Sequence, residues 1–380
     1  MSNDVVSLLQ SLIRIPSVNP DNAPGTDQTG EAAMADFVQR YLENLGFSVI
    51  QEEILPGRPN VIARAPFGGT GPDERPRILL GPHLDTVTIL GMTIEPFGAE
   101  LHDGKIHGRG STDTKGPMAA MLQALSNCRG ILAGLPVAVD FVGFMGEEAS
   151  QHGSKHFALH HAPEYQFAIV GEPTSLDVVH VTKGSLWATL TSTGKAAHAS
   201  QPEMGENAIL KLTRTLDLMD REFVGKLATY QHPVLGHSSL NIATIEGGSL
   251  PNIVPDQASS QIDIRTTPSI HQAGGALSVL ERFLAAHELP VAVQNPHENP
   301  PMEVATDNPW IQRILSANPS SKTVGAPWFS DAAHLSAAGV PSVCIGPGRI
   351  DQAHTKDEFI KIADLEEGVA YFERLIRVLG

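Results

Sequence analysis

Two histidines and a group of carboxylates stand in this chain where metal-assisted hydrolysis would need them. The apolar run RILLGPHLDTV ends in His83 and Asp85, VAVDFVGFMGEE ends in Glu147 and Glu148, FAIVGEPT ends in Glu172, and PSVCIGPGRIDQAH closes on His354. Between the first two, the glycine-rich segment GRGSTDTKG places Asp113 just ahead of a helix-like stretch. An H-x-D spacing alone arises by chance in a chain with this many histidines and acids. Recurrence at the end of one apolar run after another carries more weight, because open parallel sheets bind ligands beyond the carboxyl ends of their strands.

The residue types narrow the ion. Two histidines with several carboxylates suit zinc, with cobalt or manganese as substitutes, better than calcium or an iron–sulfur cluster. Charge counting points to two ions. Three ligand carboxylates, Asp113, Glu148 and Glu172, together with one hydroxide balance two divalent cations, and one carboxylate must then bridge. Asp113, on a loop facing the others, is the candidate. Asp85 lies two residues beyond His83, on the same side of an extended strand. It is expected to accept the other ring N–H of that histidine. Glu147 and Glu148 are adjacent, so on an extended backbone one would hold metal while the other faces the attacking water as general base.

Other chemistries find no support. There is no G-x-S-x-G nucleophile elbow and no phosphate-binding loop, and GRGSTD reaches Asp113 where a dinucleotide fingerprint wants a third glycine. His287-Glu288 begins an H-E-x-x-H that meets Val291 instead of a second histidine.

The elements that must position these groups are written in the hydrophobic pattern. Val5, Leu8, Leu9 and Leu12 follow a Ser-Asn-Asp start signal at helical spacing, and a second helix runs from Met34 to Leu45 before Gly46. Buried strands are expected at 77–84, 137–145, 167–170 and 341–345, with a helix marked by Met118, Met121, Leu122 and Leu125 between the first two. That alternation predicts an α/β fold with a mostly parallel sheet. Residues 181–295 read differently, as strand, helix, strand, strand, helix, strand, which is the ferredoxin-like order. The expected organisation is a catalytic domain of residues 1–180 and 296–380 with an inserted α+β domain at 181–295. NPHENPP, at 295–301, would be the returning linker.

Composition bounds the rest. The chain has 380 residues, 41% hydrophobic and 18% charged, with 26 basic against 42 acidic side chains and a net charge of −16. The basic residues are scattered, so a nucleic-acid partner is not expected. No apolar run approaches the length of a membrane span, and the first residues lack the pattern of an export signal. Cys128 and Cys344 sit in apolar runs as core residues do. A cytoplasmic location follows as the expectation.

HLDTV, GRGSTDTKG, GEEAS, GEPT and GPGRIDQAH, in this order, resemble the M20 family of metallopeptidases and amidohydrolases, over nearly the whole chain. The family includes deacetylases, desuccinylases, aminoacylases, carboxypeptidases and tripeptidases. The resemblance implies that His83 and Glu172 hold one metal and Glu148 and His354 the other. Asp113 would bridge them, Glu147 would be the base and acid, and Asp85 would orient His83. It identifies the insertion with the family's lid, which also dimerises. In TGKAAHASQPEMGENAI it implies that His198 steadies the substrate carbonyl, and in GGSLPNIVPDQASSQIDIR that Asn252 and Arg265 contact the substrate. GPGRIDQAHTKDEF is closest to acetylornithine deacetylases, whereas GAPWFSDAAHL, with Ser330-Asp331, looks more like desuccinylases and peptidases. The expected activity is cleavage of the amide bond of a small N-acyl amino acid. Exopeptidase or carboxypeptidase action on short peptides is the alternative, and a metal-binding protein without turnover is the third reading.

Overall fold

Four strands pair in parallel, in the order Ala138–Gly143, Arg77–Pro82, Tyr165–Gly171 and Ser342–Cys344. They belong to a computed structural model that describes residues 4–22 and 26–379. Each falls inside or beside one of the apolar runs expected to be a strand. All six residues of Ala138–Gly143 are buried, as parallel strands covered on both faces must be. The polar exception is Asp140, whose buried carboxylate is paired with Arg64 at 3.0 Å and Arg77 at 2.8 Å. A buried charge is tolerated only with such partners. A hairpin of Ser48–Leu55 and Arg58–Arg64, which the hydrophobic pattern does not single out, extends the sheet antiparallel beside Ala138–Gly143.

Helices supply the covering faces. Val5–Ile13 buries Val5, Leu8, Leu9 and Leu12, and the Asp4 side chain caps it by accepting from Val6 and Ser7 N–H. Ser2 and Asn3 of the expected start signal lie outside the described residues. Ala32–Asn44 buries Met34, Val38, Tyr41 and Leu42, and Gly46 follows at φ +94°. Lys115–Asn127 is buried almost throughout, and Ile362–Val378 buries Phe372, Leu375 and Ile376. A small sheet of Glu100–His102, Lys105–His107 and Phe359–Lys361 draws the segment after His354 against the stretch before Asp113. No helix among the described residues is long and apolar enough to cross a membrane.

The chain divides into two compact units, Met1–His180 with Glu303–Val324 and Ser330–Gly380, and Val181–Met302 with Gly325–Phe329. The second has its own core, centred on Leu186, Leu190, Leu212, Phe223, Ile264, Leu280 and Phe283. Its sheet runs Ser239–Ile242, Gln257–Thr266, Gly184–Thr193, Ala292–Asn299, antiparallel throughout. Ala208–Leu218 and Ala276–Ala286 are its main helices. The expected linker at 295–301 is corrected here: the last strand continues to Asn299, with His297 opposite Trp187 and Glu298 opposite Leu186. A bulge between Gln294 and His297, with Asn295 at φ +48°, absorbs Pro296. Proline has no N–H to give a ladder, so its presence read as a break when it marks a bulge.

Candidate metal centre

The strand Arg77–Pro82 delivers His83 at its carboxyl end, where the chain makes one more bridge, to Phe144. The ring is 1% exposed. Its Nδ1 lies 3.0 Å from the backbone oxygen of Asp85, and Nε2 lies 3.1 Å from Asp113 Oδ1. A carbonyl only accepts, so Nδ1 carries a proton and Nε2 is the atom turned to the site. Asp113 precedes the helix Lys115–Asn127, whose first turn packs closely on the loop: a Cβ on Gly116 would stand 2.5 Å from Ser111 O. The second carboxylate oxygen of Asp113 lies 3.2 Å from His354 Nε2, which is itself 3.1 Å from Glu148 Oε2.

Ligand atoms converge in three sets, each within 4.8 Å: His83 with Asp113 and Glu172, Asp113 with Glu148 and His354, and His83 with Glu147 and Glu148. Asp113 joins the first two sets. Glu147 belongs to neither, and stands beside the pair. Two donors on a tetrahedral zinc, each about 2.0–2.1 Å from it, are about 3.3 Å apart, close to the 3.1–3.2 Å found between histidine and carboxylate atoms here.

Electrostatics test whether cations fit. Burial works against a charged His83, yet the carboxylates of Asp113 and Asp85 hold its pKa well above the ordinary value. Hydrogen bonds donated by the His354 ring to the carboxylates of Asp113 and Glu148 push its pKa up to about 11. Burial raises Glu147 and Glu172 well above the usual carboxylate range, Glu172 and Glu148 adding repulsion at the first and Asp113 at the second. Burial and the Asp113 charge raise Glu148 as well. Asp113 moves the other way: burial opposes its charge, but the two histidines outweigh it. Glu148 Oε1 and Glu172 Oε1 are buried without a hydrogen-bond partner. A pocket so overloaded with acid, with both imidazoles pushed toward their charged form and orphaned carboxylate oxygens, is one that divalent cations would satisfy.

Two details differ from expectation. The carboxylate of Asp85, 3.4 Å from Nδ1, is the more distant acceptor for the His83 ring N–H; the backbone oxygen of Asp85 is closer, at 3.0 Å. The strand has ended at Pro82, so the alternation that would put residues 83 and 85 on one side no longer applies. The Asp85 carboxylate also accepts the backbone N–H groups of Glu147 and Glu148, 3.1 Å each, and the Asn19 amide at 2.8 Å. Glu147 and Glu148 also lie in a turn entered through Gly146 at φ +77°, not on extended backbone. Both carboxylates therefore reach the same centre.

His198, Asn252 and Arg265 lie in the second unit. His198 is exposed, bridges Ile253, and has Nδ1 2.7 Å from Ser200 Oγ. Ala199 N–H donates to Asn252 O, which keeps those two loops together. The Arg265 guanidinium is engaged by Asp263 on its own strand, at 3.0 and 3.1 Å.

Sequence reasoning passed over three residues behind the centre. Asn19 holds Asp85, Asp331 is fully buried and accepts from Ser154 Oγ at 2.5 Å, and Glu358 binds the Asp113 loop. The last two stand inside segments that the motifs already flagged, GAPWFSDAAHL and AHTKDEF.

Comparisons with known proteins bear on family and fold. Residues 79–378 match the model of peptidase family M20/M25/M40. The chain is similar to acetylornithine deacetylase of Proteus mirabilis, 32% identical across 95% of this chain and 93% of that protein. In fold it is similar to a tripeptidase of Staphylococcus aureus, with a TM-score of 0.77, 22% identity, and coverage of 99% of this chain and 97% of that one. An M20 family metallo-carboxypeptidase of Sulfolobus solfataricus gives a TM-score of 0.76 at 17% identity, over 100% and 99% of the two chains.

Proposed function

Because the chain belongs to the M20/M25/M40 peptidase family, we propose that it deacylates small N-acyl amino acids with a free α-carboxylate, with acetylated amino acids of the ornithine type as first candidates. It is a hydrolase of carbon–nitrogen bonds. The observation that carries the proposal is the reach of Asp113, one carboxylate oxygen to His83 and the other to His354. A single carboxylate held between two histidines is what a bridged pair of ions would require.

His83 and Glu172 would hold one cation, Glu148 and His354 the other, with Asp113 shared. Zinc suits the donors best. When bound, two such cations would supply Lewis acidity for the scissile carbonyl and would lower the pKa of water toward neutrality. Glu147, beside the pair and free of their shared ligand, takes the proton of the attacking water and returns it to the leaving amine. Asp85 and Asn19 hold the turn that aims Glu147 and Glu148. His198 is assigned to the substrate's carbonyl oxygen, Asn252 to a substrate contact, and Arg265 to the substrate carboxylate. That last role requires Arg265 to exchange Asp263 for substrate, which its bidentate fork allows. The second unit as a dimerisation surface and a cytoplasmic location, supported by two buried free cysteines, belong to the same proposal.

The test is metal analysis combined with a panel of N-acetyl and N-succinyl amino acids, dipeptides and tripeptides, in zinc or cobalt. Amine release from N-acyl amino acids is the expected result. Turnover confined to peptides would transfer the site to exopeptidase chemistry, and none from protein holding two ions would end the proposal.

A further inference from the structure

Glu358 lies four residues beyond His354 and its side chain is wholly buried. Oε1 accepts the backbone N–H of Thr112 at 2.9 Å and of Asp113 at 3.1 Å. Oε2 accepts the backbone N–H of Gly110 at 3.1 Å and Arg109 Nη1 at 2.7 Å. A carboxylate has about four lone-pair sites, so this one is saturated and has none left for an ion. The backbone nearby joins in: Gly108 N–H donates to Glu358 O at 3.0 Å, and Thr112 Oγ1 donates to Phe359 O at 2.7 Å.

We infer that Glu358 is a positioning residue, gripping the loop of Asp113 so that the bridging carboxylate keeps one oxygen on each side of the centre. The inference rests on the metal-centre reading above. One short segment supplies His354 to the centre and, through Glu358, fixes the main chain of the residue that His354 must face. Ion pairing with Arg109 alone would need only Oε2. The use of Oε1 on the N–H groups of Thr112 and Asp113 is what ties the residue to the bridge. Replacing Glu358 by glutamine keeps the shape but turns one oxygen into an N–H donor. In either orientation two N–H groups lose their acceptor, either those of Thr112 and Asp113 or those of Gly110 and Arg109.

The experiment titrates chelated protein with cobalt(II), without substrate, by calorimetry and visible absorption. It compares wild type with Glu358→Gln, Glu358→Asp and Arg109→Met. Glu358→Gln is expected to weaken the looser cation by about 10–100-fold and to alter the cobalt absorption, since supporting residues of metal sites act on this scale. Glu358→Asp keeps a charge for Arg109 but withdraws the carboxylate by about 1.5 Å; it should lose affinity in the same direction, which keeps the test open if the glutamine variant does not fold. Arg109→Met leaves both Oε1 bonds in place and should lower melting temperature while changing cation affinity by less than about threefold. Wild-type affinity and an unchanged cobalt spectrum in both Glu358→Gln and Glu358→Asp would overturn the inference, as would an equal loss in Arg109→Met. Cations are counted with no substrate present, so the outcome reads the same way whichever amide the enzyme cuts.

Discussion

Asp85 holds Glu148 by its main chain: Oδ2 of the aspartate accepts the glutamate N–H at 3.1 Å, while Oδ1 takes that of Glu147 at the same distance. One buried carboxylate thus sets the direction of two others. Asp85→Asn leaves one of these N–H groups facing an amide NH₂. We expect kcat to fall by about 10–100-fold, with weaker metal retention. Full activity with unchanged metal content in that variant would mean the turn is held by other contacts.

Glu147→Gln separates chemistry from metal binding. The residue is absent from both ligand sets that share Asp113, so the variant should keep its cations. Loss of the proton acceptor should reduce kcat by about 10²–10⁴. Substantial remaining turnover would assign the proton transfer to another group.

Asp331 offers a pH signature in metal-free protein. Burial, only partly offset by the Ser154 hydrogen bond, raises its carboxyl from 3.8 to about 7. Below about pH 4 the group is protonated in folded and unfolded chains alike. Between there and pH 7 only the folded chain keeps the proton, so stability falls as pH rises, by on the order of 1.4 kcal/mol per unit. Above pH 7 the deficit is constant. Asp331→Asn keeps an oxygen for Ser154 and loses the titration, so its melting temperature, measured with chelator against wild type, should gain more at pH 8 than at pH 5. An equal difference at both pH values would place the Asp331 carboxyl in its ordinary range.

The ends of the parallel strands were legible because strands buried on both faces are continuous apolar runs, and polar residues directly after such runs stand out. That is how His83, Glu147, Glu148 and Glu172 come to notice. What Asp85 does was not legible, because it depends on how the chain curls after Pro82, where side-chain alternation stops. Glu358 was invisible for another reason. Three of its four hydrogen bonds come from backbone N–H groups some 245 residues earlier, and a backbone donor leaves no mark in the residue types. Asn295 and Pro296 misled because a bulge and a linker use the same residues.

Removal of metal and removal of the bridge should differ in a measurable way. Chelation leaves Glu147, Glu148 and Glu172 crowded around two imidazoles, and binding free energy is lost with each ion, about 2.7 kcal/mol for a site held at 100 times its Kd. A marked drop in melting temperature is expected, reversed by added zinc. Asp113→Asn acts more narrowly. The asparagine offers one neutral oxygen where the carboxylate gave one to each histidine, and its NH₂ cannot ligate. Bound zinc after gel filtration should therefore fall from two ions per chain to one or fewer, with His83 and His354 unaltered. Two tightly bound ions in Asp113→Asn would show that the pair is held without a shared carboxylate, and the arrangement proposed for this centre would have to be abandoned.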